Sequence, residues 1–153
     1  MPQGKLKPWK DKWVEMSPLS RGGQGSTSIV EHIDRQAMPD QYVLKLLHKQ
    51  NDMDRRKRMH REVASLQTLD IRGVPKVIES NADRYNDESQ NLYLIMEYIQ
   101  GATLQERIND GRMALHDATS LLIKLVDIAS YCHDQGVVPV SYTHLTLPTK
   151  RIV

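Results

Sequence analysis

The run QYVLKLL at residues 41–47 is apolar except for one lysine, Lys45. Strand alternation places Lys45 on the same face as Val43 and Leu47, among side chains that a sheet tends to bury. A lysine in such surroundings needs a counter-charge or loses its proton. The run therefore predicts a β-strand whose lysine meets an acidic side chain. The alternative is an edge-strand lysine whose ammonium reaches water along the strand.

Glu62 is the candidate partner of this lysine. A helix is predicted over residues 52–69 because apolar side chains, including Met59 and Val63, recur there at helical spacing. Glu62 lies at the margin of that apolar stripe, so a carboxylate turned inward would pair with Lys45 across a sheet–helix interface. Such a pair is better evidence for function than for stability. The basic side chains of this helix are expected to form a solvated face: Arg55, Arg56, Lys57, Arg58 and Arg61.

Four more strands are predicted around this strand–helix pair: Trp13–Leu19, Thr27–Ile33, Val74–Glu79 and Asn91–Tyr98. The first two flank a glycine-rich stretch and form a hairpin. Residues 80–90 are polar and predict a loop. The predicted order is five strands interrupted by one helix, followed by helices.

The strongest helical pattern covers Asp117–Asp134, with Asp117 as the expected N-cap and Gly136 as the expected stop. Apolar and small side chains form one stripe on this helix: Ala118, Leu121, Leu122, Leu125, Ile128, Ala129 and Cys132. Because a stripe of this size needs a partner, exposure of it predicts aggregation or a loosely packed C-terminal half.

Composition narrows the possible functions. The chain has 153 residues and a formal net charge of +2, which argues against a strongly basic nucleic-acid binder. A single cysteine, Cys132, cannot form an internal disulfide or a multi-thiolate metal site. No apolar run reaches the roughly 18 residues of a membrane span, and the N-terminal residues lack the apolar core of a secretory signal. A cytoplasmic protein with no membrane segment in this chain is therefore expected.

The glycine-rich tip is the second candidate site. Gly22, Gly23 and Gly25 have no Cβ atoms, so their backbone N–H groups can approach phosphate oxygens closely. An ordinary tight turn is the alternative for this feature taken alone.

Taken together and in order, these motifs resemble the eukaryotic-type protein kinases, including their bacterial serine/threonine members. The matching segments are the glycine-rich loop Ser20–Thr27, the strand Tyr42–Lys45, the helix centre Arg61–Val63, the strand and hinge Leu92–Ile99 before Gly101, and the helix end Tyr131–Val138. Two departures are Ser20 in place of the usual first glycine and Val43 in place of the usual alanine.

The resemblance implies an α+β fold and a domain plan. Residues 13–98 would form the kinase N-lobe, a five-stranded antiparallel sheet plus one helix, preceded by a flexible leader over 1–12. Residues 99–138 would supply the hinge and the first C-lobe helices, where the kinase fold would be truncated. Residues 139–153 are expected to be a non-native tail, since the stretch Val140–Thr149 looks like translated sequencing adapter. An authentic divergent C-terminus is the alternative.

The resemblance also implies roles for individual residues. The backbone of Gly22, Gly23 and Gly25 would cover the nucleotide phosphates, while Lys45 would hold the α and β phosphates and Glu62 would orient it. The adenine contacts implied by the family come from six positions: Leu19, Thr27 and Val43 enclosing the ring, Met96 as gatekeeper, and the backbone of Glu97 and Ile99 at the hinge.

The implied activity is ATP-dependent phosphoryl transfer, with Mg²⁺, to a protein hydroxyl, most often serine or threonine. The chain contains no His-Arg-Asp motif after the helix end, and without any Phe it contains no Asp-Phe-Gly motif. These 153 residues are therefore expected to lack the catalytic aspartate, the metal ligands and kinase activity. The alternatives are a pseudokinase that serves as a binding or scaffold module, and a small-molecule phosphotransferase of the antibiotic-kinase type.

Overall fold

The computed structural model describes residues 10–21, 25–38, 40–111 and 113–137. These residues fall into two compact units. The first takes in the described residues up to 64 together with 76–98, and the second takes in 65–75 together with the described residues from 99 onward. No helix among the described residues is long and apolar enough to cross a membrane.

The first unit is built around a single antiparallel sheet. Its strands are β1 (Trp13–Arg21), β2 (Gly25–His32), β3 (Gln41–Leu47), β4 (Val77–Ser80) and β5 (Tyr93–Glu97), arranged in the order β1-β2-β3-β5-β4. The five-stranded antiparallel sheet predicted from the sequence is confirmed, and β3 has the predicted bounds. The fourth strand begins three residues later than predicted, because the Val74 N–H donates to the Ile71 carbonyl in a turn.

Three α-helices and one 3-10 turn complete the described structure: α1 (Met53–Thr68), α2 (Leu104–Asn109), α3 (Leu115–Asp134) and the 3-10 turn Ala82–Arg84. Asp52 caps α1, since one of its carboxylate oxygens accepts the N–H groups of Asp54 and Arg55 at 3.1 Å each. Chiefly through the Arg55 backbone bond, this capping lowers the pKa of Asp52, although partial desolvation opposes it.

One face of the sheet carries a tightly buried apolar cluster. The cluster consists of Trp13, Val30, Tyr42, Leu44, Tyr93 and Ile95. The Trp13 ring meets Tyr42 edge-on, with ring centroids 5.2 Å apart, and His32 edge-on at 4.9 Å. Strand β1 is therefore fixed by an aromatic side chain at its first residue as well as by its pairing with β2.

Glu79 links the two outermost strands of the sheet. Its carboxylate accepts the Tyr93 hydroxyl at 2.5 Å and the Trp13 indole N–H at 3.4 Å, and the Lys12 ammonium lies 3.6 Å away. Burial alone would raise the pKa of Glu79, but the bonds from Tyr93 and Trp13 and the Lys12 charge together lower it. Burial and the Glu79 carboxylate raise the pKa of the Tyr93 hydroxyl. Trp13 on β1 thus contacts β4 although the two strands lie at opposite edges of the sheet.

The Glu79 contacts predict a pH-dependent contribution to stability. Because the folded-state pKa is below the ordinary value of 4.5, the contribution is present above that pH and is lost as pH falls through the folded-state pKa. We expect Glu79→Gln to lower the free energy of unfolding by about 1 kcal/mol at pH 7. Urea unfolding of both proteins at pH 7 and pH 3 measures the difference. An equal difference at the two pH values would contradict the assignment.

Arg56 corrects the sequence interpretation of the α1 basic cluster. The predicted solvated face is wrong at this position, since Arg56 is fully buried, whereas Lys57, Arg58 and Arg61 are exposed. Its guanidinium donates to the backbone carbonyls of Gln50 (3.2 Å), Arg84 (3.1 Å), Tyr85 (2.6 Å), Asp87 (2.6 Å) and Gln90 (3.0 Å). The interior accommodates the guanidinium because these carbonyls replace water as hydrogen-bond acceptors.

In the second unit, α3 begins two residues before the predicted N-cap. The N-cap residue of α3 is Ala114, so the prediction of Asp117 as the N-cap is wrong. The Asp117 carboxylate instead lies in the first turn of the helix. A negative charge in this turn interacts favourably with the positive end of the helix dipole. Gly136 follows α3 with a φ of +74°, which confirms the predicted stop.

The inward face of α3 is mostly as predicted. Ile128 is buried and most other members of the predicted stripe are half-buried, but Leu122 is 61% exposed, so its assignment to the inward face is wrong. Ile123 and Val126 are also more than half exposed. Helix α2 lies within residues 99–138, where the first C-lobe helices were expected, although its bounds were not predicted. A reciprocal capping box of Thr103 and Glu106 starts it.

Candidate functional site

The register of three strands assembles one face of the sheet. On β3, Lys45 lies opposite Thr27 of β2 and Leu94 of β5, and Val43 lies opposite Met96 of β5. Directly opposed residues in an antiparallel pair point to the same side. Four residues singled out from the sequence therefore share the face that carries Lys45: Thr27, Val43, Lys45 and Met96.

The ion pair expected from the sequence is present. The Lys45 ammonium donates to both carboxylate oxygens of Glu62, with Nζ–Oε1 and Nζ–Oε2 distances of 2.6 and 2.8 Å. The expectation that the pair is buried is wrong, since the side chains are 23% and 43% exposed. An ion pair this open to water contributes at most about 1 kcal/mol to stability.

A recess of about 20 Å³ lies beside the ion pair, which is room for about one water molecule. Its walls come from β3 and α1: Lys45, Leu47, Arg55, Arg58, Met59 and Glu62. Sequence reasoning did not single out Arg55 and Arg58 as site residues. Their spacing could have identified them. Arg55 is seven and Arg58 four residues before Glu62, and residues at these spacings lie on the same side of a helix. Arg55 is held by Asp52 at 3.0 Å.

The glycine-rich hairpin is described only at its ends. Gly25 opens β2 opposite Leu47, whereas Gly22 and Gly23 lie outside the described residues. Leu19 is 42% exposed, at an irregular point of the β1–β2 pairing. Ser20, the departure from the family's first glycine, shares a 2.7 Å hydroxyl–hydroxyl bond with Thr27 across the two strands.

The hinge residues are divided between the two units. Met96 and Glu97 belong to the first unit, and Ile99, which is buried, belongs to the second. The Glu97 N–H donates to the Lys76 carbonyl at 2.9 Å. This N–H is therefore committed within the first unit and is not open to an adenine ring.

The described residues form no cluster of side chains that could bind a magnesium ion. Across residues 10–21, 25–38, 40–111 and 113–137, no three side chains of His, Cys, Asp or Glu come together as ligands. Glu62, the carboxylate beside the recess, already accepts two hydrogen bonds from Lys45. The described site therefore does not fit Mg²⁺.

The sequence matches the family model of the protein kinase domain over residues 17–140. This chain belongs to the protein kinase family. Its kinase relatives include CBL-interacting protein kinase 1 of Oryza sativa subsp. japonica, 27% identical over 75% of this chain and 24% of the relative. Another is a "Probable serine/threonine-protein kinase" of Streptomyces coelicolor, 29% identical over 81% of this chain and 18% of the relative.

Solved kinase structures share the fold. The PknI kinase domain of Mycobacterium tuberculosis superposes with a TM-score of 0.56 at 20% identity, over 82% of this chain and 49% of that chain. This kinase chain thus spans about a quarter or less of these two curated relatives and about half of the solved domain. The match confirms the kinase fold predicted from the sequence.

Proposed function

We propose that this chain is the ATP-binding portion of a serine/threonine protein kinase. The Lys45–Glu62 pair carries the proposal, because it places a fixed ammonium on the sheet face that also bears Thr27, Val43 and Met96. The family match and the relatives named as serine/threonine or CBL-interacting kinases support it.

The geometry of Lys45 suits a phosphate ligand. An ammonium has three N–H donors, and two of them bond the Glu62 oxygens. The third donor has no acceptor among the described residues, so it is the one that would bond an α or β phosphate oxygen. Glu62 thereby orients Lys45 without contacting the nucleotide itself. The backbone of Gly22, Gly23 and Gly25 would cover the phosphates from the hairpin side.

The adenine ring would lie against the apolar part of the same face. Leu19, Thr27 and Val43 would enclose it, Met96 would border it as gatekeeper, and Glu97 and Ile99 would offer backbone atoms other than the committed Glu97 N–H. When bound, ATP would supply the transferable phosphoryl group. The sequence contains neither the His-Arg-Asp nor the Asp-Phe-Gly motif, which supply the catalytic aspartate and a metal ligand in this family.

Lys45→Met tests the proposal. We expect it to weaken ATP binding to the 153-residue chain by about tenfold or more, because a charge-assisted hydrogen bond to phosphate is lost. Isothermal titration, or fluorescence of a ribose-labelled ATP, measures the affinity. Lys57→Met is the matched control, since Lys57 is exposed on α1, and it should bind ATP as the unaltered chain does.

Two outcomes would contradict the proposal. The first is an unaltered chain that binds no ATP at millimolar concentration. The second is equal binding by the Lys45→Met and unaltered chains.

We further propose that the 153 residues do not transfer the γ-phosphoryl group, since they contain neither His-Arg-Asp nor Asp-Phe-Gly. Transfer of radiolabelled phosphate to a protein, abolished by Lys45→Met, would overturn this second point.

A further inference from the structure

The Lys45–Glu62 pair raises the question of what fixes helix α1. Glu62 reaches Lys45 only if α1 keeps one rotation about its axis, yet both side chains of the pair are partly exposed to solvent. A screened pair of this kind is too weak to hold a 16-residue helix by itself. The placement of Glu62 must therefore depend on other contacts of α1.

Those contacts lie on a different side of the helix. Arg56 is six residues before Glu62, which corresponds to about 9 Å along the axis and about 120° around it. Its buried guanidinium bonds the carbonyls of Arg84, Tyr85, Asp87 and Gln90, all in the connection between β4 and β5. This connection is joined to the sheet at both ends and gives α1 a fixed support.

A second α1 residue contacts the same connection. His60, one turn after Arg56, pairs its Nδ1 with the Ala82 carbonyl at 3.0 Å, and its ring lies 4.5 Å from the Tyr85 ring. The connection is itself ordered by Asp87, whose carboxylate accepts the Ser89 N–H and the Gln90 side-chain amide. Rotation of α1 would break the Arg56 bonds first, because they are the most numerous and the most buried.

We propose that Arg56 is a positioning residue that sets the rotation of α1, and thereby the contact of Glu62 with Lys45, by binding the β4–β5 connection. The functional meaning of this contact rests on the proposed nucleotide role of Lys45, but the geometric claim does not. The Arg56 guanidinium bonds backbone carbonyls and the Gln50 side chain rather than Lys45 or Glu62, so it acts through the helix alone.

The test is a zero-length carbodiimide cross-link between Lys45 and Glu62 in the full 153-residue chain, quantified by mass spectrometry of the joined peptides. The reagent activates the Glu62 carboxylate, the Lys45 amine displaces urea, and an amide bond forms only between groups in contact. We expect Arg56→Gln to lower the yield by about threefold, the change a pair of this strength allows. Lys57→Gln removes a neighbouring exposed charge and should leave the yield unchanged.

Two more variants keep the proposal testable if Arg56→Gln does not fold. Arg56→Lys keeps the charge but offers an ammonium in place of the guanidinium fork, so its yield should fall between those of the Gln variant and the unaltered chain. Asp87→Ala loosens the connection without altering α1 and should lower the yield in the same direction. Faster hydrogen exchange of residues 84–90 should accompany each loss.

An unchanged cross-link yield in a folded Arg56 variant would overturn the proposal, and so would an equal loss in Lys57→Gln. The ATP titration separates this outcome from the proposed function. A chain that binds no ATP but loses the cross-link in Arg56→Gln refutes the nucleotide role and supports the positioning role. A chain that binds ATP and keeps the cross-link in folded Arg56→Gln and Arg56→Lys supports the nucleotide role and refutes the positioning role.

Discussion

Trp13→Ala is expected to lower the free energy of unfolding of the sheet by about 3–5 kcal/mol. Trp13 is 1% exposed, belongs to the main apolar cluster and packs edge-on against Tyr42 and His32. The truncation leaves a large cavity and removes the indole donor to Glu79. Such a loss is a large part of the roughly 5–15 kcal/mol by which ordinary domains are stable.

Urea unfolding followed by far-ultraviolet circular dichroism measures this effect, with two comparison variants. Met16→Ala changes an exposed residue of the same strand and should cost less than about 0.5 kcal/mol. Trp13→Phe keeps an aromatic ring but loses the N–H, so its cost should be intermediate. Equal stabilities of the Trp13→Ala and Met16→Ala proteins would show that the cluster does not hold β1 in place.

Gly25→Ala is expected to cost about 1–3 kcal/mol of stability, the typical range of forced overpacking. A Cβ at this position would lie 2.3 Å from the Leu46 carbonyl oxygen. This oxygen belongs to the backbone, so no side-chain rotation can relieve the clash. In an unstrained position the same change would instead stabilise the protein by restricting the unfolded chain. The sign of the effect therefore reports the close approach of β2 to β3.

Ser26→Ala is the matched control for this glycine, because it places the same methyl group one residue further along β2. We expect little change from it in thermal unfolding, against a clear drop in melting temperature for Gly25→Ala. A neutral or stabilising Gly25→Ala would mean that the two strands separate more easily than their register suggests. The sequence interpretation assigned Gly25 to a phosphate loop, and the structure adds a packing reason for the same residue.

The elements whose signal is local could be predicted from the sequence. The apolar run with Lys45 gave β3 its bounds, and the period of Met59 and Val63 gave α1 to within one residue at each end. The Lys45–Glu62 pair followed from a general rule, that a lysine on an apolar face requires a counter-charge. Its exposure did not follow, because the solvent around a pair depends on which segments cover it.

Contacts between distant segments could not be predicted. Arg56 has the spacing of a core residue, three before Met59 and seven before Val63, yet its charge favoured a surface position. Its carbonyl acceptors on the connection come 28–34 residues later, on a polar stretch with no pattern that marks them. The Trp13–Glu79 bond joins residues 66 apart and has no local signal either.

The bounds of helix α2 were not predicted although a local signal for its start was present. Thr103 and Glu106 have the spacing of a capping box, and both of its hydrogen bonds form. The helix of six residues that follows is too short for a convincing apolar period, so the cap was the usable evidence. For α3 the long apolar pattern predicted the helix correctly. Its start was placed too late, because Asp117 is a favourable N-cap residue type but lies inside the first turn.

The bond between Trp13 and Glu79 also bears on how this domain should be cut for expression. The family match begins at residue 17, so a fragment designed on that boundary would discard Trp13 and Lys12. Glu79 would then lose two of its partners, and β1 would lose its first four residues. A fragment that is to retain these contacts should start no later than Lys10, whose ammonium lies 4.1 Å from the centroid of the Tyr93 ring.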